Sequence, residues 1–308
     1  MEPVEHGGGE PSGGASEGKA SPGVTGSDPL PPGLRLVRAP NPSPMTERGT
    51  NTWILGEGEV LVIDPGPAIE SHLHAILAAL SPGEHIARIV VTHRHADHAA
   101  LAPALARASG AAVLGFHRGT AAQPASGLAG GEGIDRGFRP DLVLGDGDVI
   151  VAGGEEVTVL HTPGHLDDHV CLVWRDAAFS GDHVMGWASS IVSPPDGDMG
   201  AYMTSLDRLA AAAARRLFPG HGDPIADGPA RIAELRRHRL AREAAILQAL
   251  AGGPCGVDDI ARGVYAGTPA ELLPAARRNI IAHLLDLERK GRVVAADDGA
   301  GEPRYALA

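Results

Sequence analysis

Only two of the 308 residues are cysteine, Cys171 inside the strand-like HVCLVW and Cys255 in the loop GGPCG. Neither belongs to a CxxC pair, which disfavours both a disulfide framework and a thiolate zinc site. No apolar run approaches the ~20 residues of a membrane span. The N-terminus, rich in Gly, Glu, Ser and Pro, lacks the basic, apolar and small-residue order of a signal peptide. These absences point to a cytoplasmic protein without a membrane partner. Aromatic residues make up 3% of the chain against 43% apolar residues overall, so a packed core must be built from Leu, Val, Ile and Ala. Positive charge is short as well, with 26 Lys/Arg against 38 Asp/Glu. The deficit lies in residues 1–229, with 14 against 28, while residues 230–308 carry 12 against 10. An acidic main body disfavours tight nonspecific nucleic-acid binding, and leaves a local basic surface on the tail open.

The length suits one large domain and a smaller one. Residues 1–32 show almost no apolar pattern and read as a disordered extension. From Leu34, LRLVRAP, NTWILG and EVLVIDPG alternate apolar runs with Pro, Asn and Gly, the pattern of a β-meander. Ala68–Leu80 has helical spacing, ARIVVT returns as a strand, and AALAPALARASG reads as a helix ending at Gly110. AAVLGF follows as a strand, then a Gly-rich loop from Ala121 to Arg139. DLVLGDGDVIVAGGEEVTVLH, HVCLVW and AAFSGD read as further strands, the helix MGAYMTSLDRLAAAAA follows, and RLFPGHG ends the main domain, set at residues 33–229. Strands then helices in each of two halves suggest two sheets face to face with helices outside. Residues 230–308 turn helical and Arg-rich, and three helices followed by two strands around DDGAG make a winged-helix arrangement.

The chemistry is concentrated in VVTHRHADHAA, where His93, His95, Asp97 and His98 follow a β-branched run. Histidines at i and i+2 point the same way off an extended backbone, and Asp97 and His98 fall where the chain turns into the next helix. One short loop can thus present four ligands from two directions. An isolated histidine is usually an ordinary surface residue, but a His-x-His-x-Asp-His run at a strand end is not read that way. His165 in VLHTPGH, Asp182 in AAFSGD and His221 in RLFPGHG each end an apolar strand at a Gly or Pro turn. Seven N/O ligands exceed one tetrahedral zinc, so two metals are implied. If Asp182 bridges, His93, His95 and His165 hold one ion, and Asp97, His98 and His221 the other, with a water or hydroxide between them. Zinc suits an all-N/O site, with iron and manganese as alternatives.

These residues resemble the metallo-β-lactamase-fold hydrolases, whose metal motif is this His-x-His-x-Asp-His followed by a His, an Asp and a His. The resemblance covers about residues 34–226 and implies an αββα four-layer sandwich with the site at one edge. It also implies that Asp64 in VLVIDPG supports the ligand loop, a role compatible with capping the turn before the Ala68 helix. Asp182 stands where several true β-lactamases carry a zinc-binding cysteine, which argues against antibiotic hydrolysis as the main activity. Ala99-Ala100 replaces the Gly-Gly common in glyoxalase II-like proteins, and the 16 residues between His165 and Asp182 leave no room for the inserted domain of the β-CASP nucleases. HTPGHLDDHVCLVW, FSGDHVMGW, YMTSLDRL and LFPGHGDPI resemble most the β-lactamase-like protein 2 group, which joins this core to a C-terminal winged helix. Animal members of that group are regarded as single-strand endoribonucleases and related fungal proteins as thioesterases.

Asp168 and His169 read as residues supporting the ligands or touching substrate, with a structural hydrogen bond equally compatible. His183, Trp187 and Tyr202 could line the pocket or belong to the core. In the tail, Arg277, Arg278, Arg289 and Lys290 are available to a phosphate backbone, but Asp286, Glu288 and Glu271 dilute that charge and no aromatic residues interleave it. Dimerisation, or framing of the active-site entrance, is the favoured reading of the winged helix. Together these residues lead us to expect a binuclear zinc hydrolase, with Asp97 and Asp182 central to catalysis. An ester, thioester or lactone substrate is favoured over RNA because the main domain is acidic. A DNA-binding regulator with structural metals is the non-enzyme alternative.

Overall fold

The structure, a computed structural model, describes residues 29–116, 133–269, 272–296 and 303–308. Three strands, β1 (Leu34–Arg38), β2 (Asn51–Leu55) and β3 (Glu59–Ile63), form the antiparallel meander. Helix α1 (Glu70–Ala78) leads to β4 (His85–Val91), which pairs parallel to β3. A short α2 (Ala96–Ala99) and α3 (Ala102–Ser109) precede β5 (Ala112–Gly115), and β6 (Leu142–Val143) completes a six-stranded sheet in chain order. The expected helix from Ala99 to Gly110 starts later, because Pro103 lacks an N–H and fits only the first turn of α3. Gly110 ends it in the left-handed conformation. Of the expected loop from Ala121 to Arg139, residues 121–132 lie outside the described residues. So do residues 1–28 of the N-terminal extension, whereas Leu30 packs against the core.

The second sheet holds β7 (Val149–Ala152), β8 (Glu155–His161), β9 (Val170–Trp174), β10 (Ala177–Gly181) and β11 (Arg216–Pro219), with α4 (Met199–Ala211) between β10 and β11. Residue alternation builds the layers. In β3, Leu61 and Ile63 enter the core between the sheets, while Val60 and Val62 face the core that Ile76 of α1 and Leu105 of α3 complete. Phe179 of β10 likewise points inward to Trp53 and Phe218, while Ala178 joins Tyr202, Leu206 and Leu209 of α4. The result is the αββα arrangement with mainly aliphatic outer cores and a small aromatic cluster between the sheets.

Helix α5 (Gly228–Leu250), α6 (Val257–Val264) and α7 (Leu273–Arg289) follow, with β12 (Cys255–Gly256), β13 (Val293–Ala296) and β14 (Arg304–Leu307) in a three-stranded sheet. Asp227 caps α5 by accepting from Ala230 N at 2.9 Å. The expected hairpin is present as β13 and β14, its DDGAG turn lies outside the described residues, and the two-residue β12 is an addition. This domain has its own core of Ile246, Ile260, Ile280, Leu284 and Tyr305. It is joined to the sandwich by Ala282 of α7, which enters the α4 core, and by Asn279 Oδ1, which accepts from Val192 N at 3.0 Å. No helix among the described residues is long and apolar enough to cross a membrane.

Candidate active site

Strands β3 and β4 run parallel, as do β10 and β11, and β8 is antiparallel to β9, which is antiparallel to β10. The carboxyl ends of β4, β8, β10 and β11 therefore open toward one edge of the sandwich. That is why His93, His165, Asp182 and His221, far apart in sequence, meet there. Two groups of side chains are arranged to hold metal ions: His93, His95, His165 and Asp182, and beside them Asp97, His98 and His221.

The distances fit coordination. His95 Nδ1 stands 3.0 Å from both His93 Nε2 and His165 Nε2, and His98 Nε2 stands 3.2 Å from His221 Nε2. Donors on a tetrahedral ion with bonds of about 2.0–2.1 Å lie about 3.3 Å apart. Asp182 faces both groups, with Oδ1 3.4 Å from His98 Nε2 and Oδ2 3.4 Å from His221 Nε2, 3.7 Å from His165 Nε2 and 3.8 Å from His93 Nε2. Its Oδ1 is buried with no hydrogen-bond partner, a vacancy a cation would fill.

The partners behind the rings select the tautomer that ligation needs. Asp64 accepts from Thr92 N at 2.7 Å, from Thr92 Oγ1 at 2.8 Å and from His98 Nδ1 at 2.9 Å. Thr92 Oγ1 in turn lies 3.0 Å from His93 Nδ1, and Ile191 O accepts from His165 Nδ1 at 2.6 Å. Each of these rings thus turns its Nε2 lone pair inward. Burial, together with the neighbouring histidines, holds His93 well below its usual pKa and His95 at about 3, so both are neutral donors. Burial also lowers His165. For His221, burial is outweighed by the Asp182 and Asp97 carboxylates, which raise it to about 9; His98 is raised by Asp182, Asp97 and Asp64 against the same burial. Asp182 and Asp97 are held well below the carboxylate range by those imidazoles despite their burial.

Backbone and glycine placement complete the cradle. Gly181 adopts φ +47°, and a Cβ there would meet His169 Nε2 at 2.7 Å. A Cβ on Gly220 would stand 2.5 Å from Asp182 Oδ1 and 2.6 Å from His98 Cε1. Asn51 closes the β11 turn by donating to Pro219 O at 3.0 Å and Gly222 O at 2.8 Å.

Residues 45–221 match the family described as the metallo-beta-lactamase superfamily, and residues 257–301 match the beta-lactamase associated winged helix domain. The chain belongs to the metallo-beta-lactamase superfamily. It is a hydrolase of that superfamily with a binuclear-type His/Asp metal site, followed in this chain by the winged-helix domain. It is 33% identical to the beta-lactamase-like protein 2 homolog of Drosophila melanogaster, over 82% of this chain and 87% of that protein. It is 30% identical to an atrochrysone carboxyl ACP thioesterase of Aspergillus chevalieri, over 95% of this chain and 92% of the relative. A beta-lactamase domain protein from Burkholderia ambifaria, 25% identical, superposes with a TM-score of 0.76 over 91% of this chain and 93% of the other.

Within this superfamily fold, the remaining predicted residues take different places. His169 is buried behind the cluster, where its Nε2 accepts from Asp182 N at 3.2 Å and its Nδ1 meets Thr162 Oγ1 at 2.9 Å. Asp168 is buried 3.0 Å from Arg94 Nη1, off the hydrogen-bonding axis. His183 and Tyr202 are not on the cavity wall: both are fully buried, with ring centroids 4.7 Å apart and Tyr202 OH donating to His183 O at 3.0 Å. Trp187 does line the cavity. Sequence reading passed over Arg94, between the first two motif histidines, which pairs with Asp167, Asp168 and Asp196. Its one sequence signal was a cation facing LDDH in the second ligand loop.

Proposed function

We infer that the protein is a metal-dependent acyl hydrolase acting on an ester, thioester or lactone. The observation that carries this reading is a cavity of about 530 Å³ that opens directly on His95, Asp97, His165, Asp182 and His221. Its other walls include Met45, Ile134, Leu166, Met185, Trp187 and Ile191. Such apolar walls fit the hydrocarbon part of an acyl group. The thioesterase activity in the name of the Aspergillus relative supports the same substrate class.

Two divalent cations, zinc in our reading with iron or manganese as alternatives, would supply a hydroxide nucleophile near neutral pH and stabilise charge on the attacked carbonyl. His93, His95 and His165 would hold one ion and Asp97, His98 and His221 the other, with Asp182 shared between them. The Asp97 carboxylate, within 3.3 Å of Thr50 Oγ1 and 3.2 Å of His221 Nε2, also faces the cavity and can hold the proton released on attack. Asp64, Thr92 and His169 keep the rings and the Asp182 backbone in place. Against the ribonuclease and DNA-regulator readings, Arg277 pairs with Asp258, Arg289 with Asp198 and Asp286, and Lys290 with Asp286 and Glu243, so these three cations are already neutralised. We place the enzyme in the cytoplasm, with a homodimer as its proposed assembly.

The test is hydrolysis of esters, thioesters, lactones and a fluorescent single-stranded RNA by the metal-loaded protein, with Asp182→Ala as blank. Metal-dependent acyl turnover without RNA cleavage is expected. RNA cleavage lost in the variant, with no acyl turnover, would refute this reading.

A further inference from the structure

The cavity does not end with the sandwich. Its remaining wall comes from the winged-helix domain and includes His238, Arg242, Tyr265, Leu272 and Arg278. Among the described lining residues the only carboxylates are Asp97 and Asp182, both at the metal end. In a chain of net charge −12, this wall is cationic.

Resting on the acyl-hydrolase reading, we propose that Arg242, with His238 beside it, forms a subsite for an oxyanion that the substrate carries away from its scissile bond. Arg242 differs from the tail cations that face carboxylates. Arg231 pairs with Glu234, Arg277 with Asp258, Arg289 with Asp198 and Lys290 with Asp286, whereas Arg242 has no ion pair among the described residues. Its guanidinium is nevertheless fixed. Nη1 donates to Val264 O, Nε donates to His238 Nε2 at 3.3 Å, and the group lies 4.5 Å from the centre of the Tyr265 ring. Nη2 is left without a partner among the described residues. A half-buried guanidinium held on three sides, with one N–H group spare, is pre-organised for a carboxylate or a phosphate oxygen. The local field agrees: burial, then the charges of Arg239, Arg242 and Arg231, push His238 down to about 4. The winged helix thereby becomes part of the substrate site. It would select substrates by a charge remote from the reacting carbonyl, with the apolar walls between.

The test compares three thioesters on the metal-loaded full chain: neutral butyryl-N-acetylcysteamine, butyryl-phosphopantetheine with a phosphate on the thiol arm, and glutaryl-N-acetylcysteamine with a carboxylate on the acyl arm. One anionic thioester is expected to exceed the neutral one in kcat/KM by about tenfold, the scale of a charge-assisted hydrogen bond. Which one does so identifies the arm that bears the charge. In Arg242→Gln the ratio should fall to about one, and Arg242→Lys, which keeps charge but loses the planar fork, should lie between. A ratio of one in the wild type, or an undiminished ratio in Arg242→Gln, overturns the proposal. If the wild type turns over no thioester, ester or lactone, the acyl-hydrolase reading fails, and the subsite is then decided by binding. Trp187, the one tryptophan on the cavity wall, reports occupancy by fluorescence, since Trp53 and Trp174 are fully buried. S-methyl phosphopantetheine or glutaric acid monoamide should then bind about tenfold more tightly than S-methyl pantetheine or butyramide, and equal binding overturns the subsite.

Discussion

Replacing Gly220 with alanine adds a single methyl group at the centre of the metal cradle. Its Cβ would stand 2.5 Å from Asp182 Oδ1 and 2.6 Å from His98 Cε1, where ordinary contact begins at 3.4 Å. The backbone cannot retreat, because Gly220 N donates to Gly181 O at 2.8 Å and Gly220 O accepts from Asn51 N at 2.7 Å. The carboxylate and the ring must therefore move by roughly 0.8–0.9 Å, whereas a metal site tolerates ligand distances only to about 0.2 Å. Gly220 φ is not in the left-handed region, so the substitution strains no backbone angle. Overpacking of this kind costs about 1–3 kcal/mol of stability. Displacing two ligands should cost more at the ions, about 100-fold or more in affinity, or at least ~2.7 kcal/mol. Metal content after dialysis, affinity by competition with a chromophoric chelator, and far-UV circular dichroism would be measured, with Gly252→Ala as control because its added Cβ meets nothing closer than 3.9 Å. A folded Gly220→Ala protein that keeps two ions at wild-type affinity would refute the assignment of Asp182 and His98 to the metals.

Asp182→Ala should lower metal content and abolish turnover together, and a variant that retains both would remove the bridge. Asp64→Asn tolerates the left-handed φ of +52° and can still accept from Thr92 N, but its amide N–H faces His98 Nδ1 and drives the ring toward the tautomer that cannot ligate through Nε2. Metal affinity should fall about 10- to 100-fold with little change in thermal midpoint, and unchanged affinity would count against that role. Asp168 is pushed up to about 7, by burial first and by Asp167 in addition, against the pull of Arg94. The folded chain then binds this proton more tightly than the unfolded chain, so the group's contribution to stability is greatest below about pH 4 and is lost as pH rises toward 7. Asp168→Asn should therefore gain stability relative to wild type between pH 5 and pH 8 in urea unfolding, and an identical difference at both pH values would exclude this titration.

What was legible in the sequence was whatever local spacing encodes. The unbroken apolar run in EVLVI and the β-branched run before His93 mark strands because each strand lies between two apolar layers, and the histidines stand out because they follow such a run without a break. The histidine-rich loop needed no tertiary information, since its donors come from consecutive turns of one segment. Residues whose role depends on a distant partner were harder to place. Tyr202 has the polar tip of a pocket residue, yet the backbone carbonyl of His183 satisfies it inside the core. Arg94 looked like a spacer between ligands because the carboxylates it joins lie 73, 74 and 102 residues away.

The same distinction separates the two halves of the cavity. Its metal end is built from strand termini of the two facing sheets, each ending in a recognisable motif, so motif order alone suggests which side chains meet. Its cationic end is built from α5, α6 and α7, whose arginines look alike in sequence and differ only in whether a carboxylate lies opposite. Asp258 and Asp198 neutralise Arg277 and Arg289 on the outer surface, while Val264 O and the Tyr265 ring fix Arg242 without neutralising it. A carbonyl or an aromatic face orients a guanidinium and leaves its charge available, whereas a carboxylate removes it. That difference makes a tail of nearly balanced charge capable of selecting an anion at one point, and it makes the winged helix a wall of the substrate site.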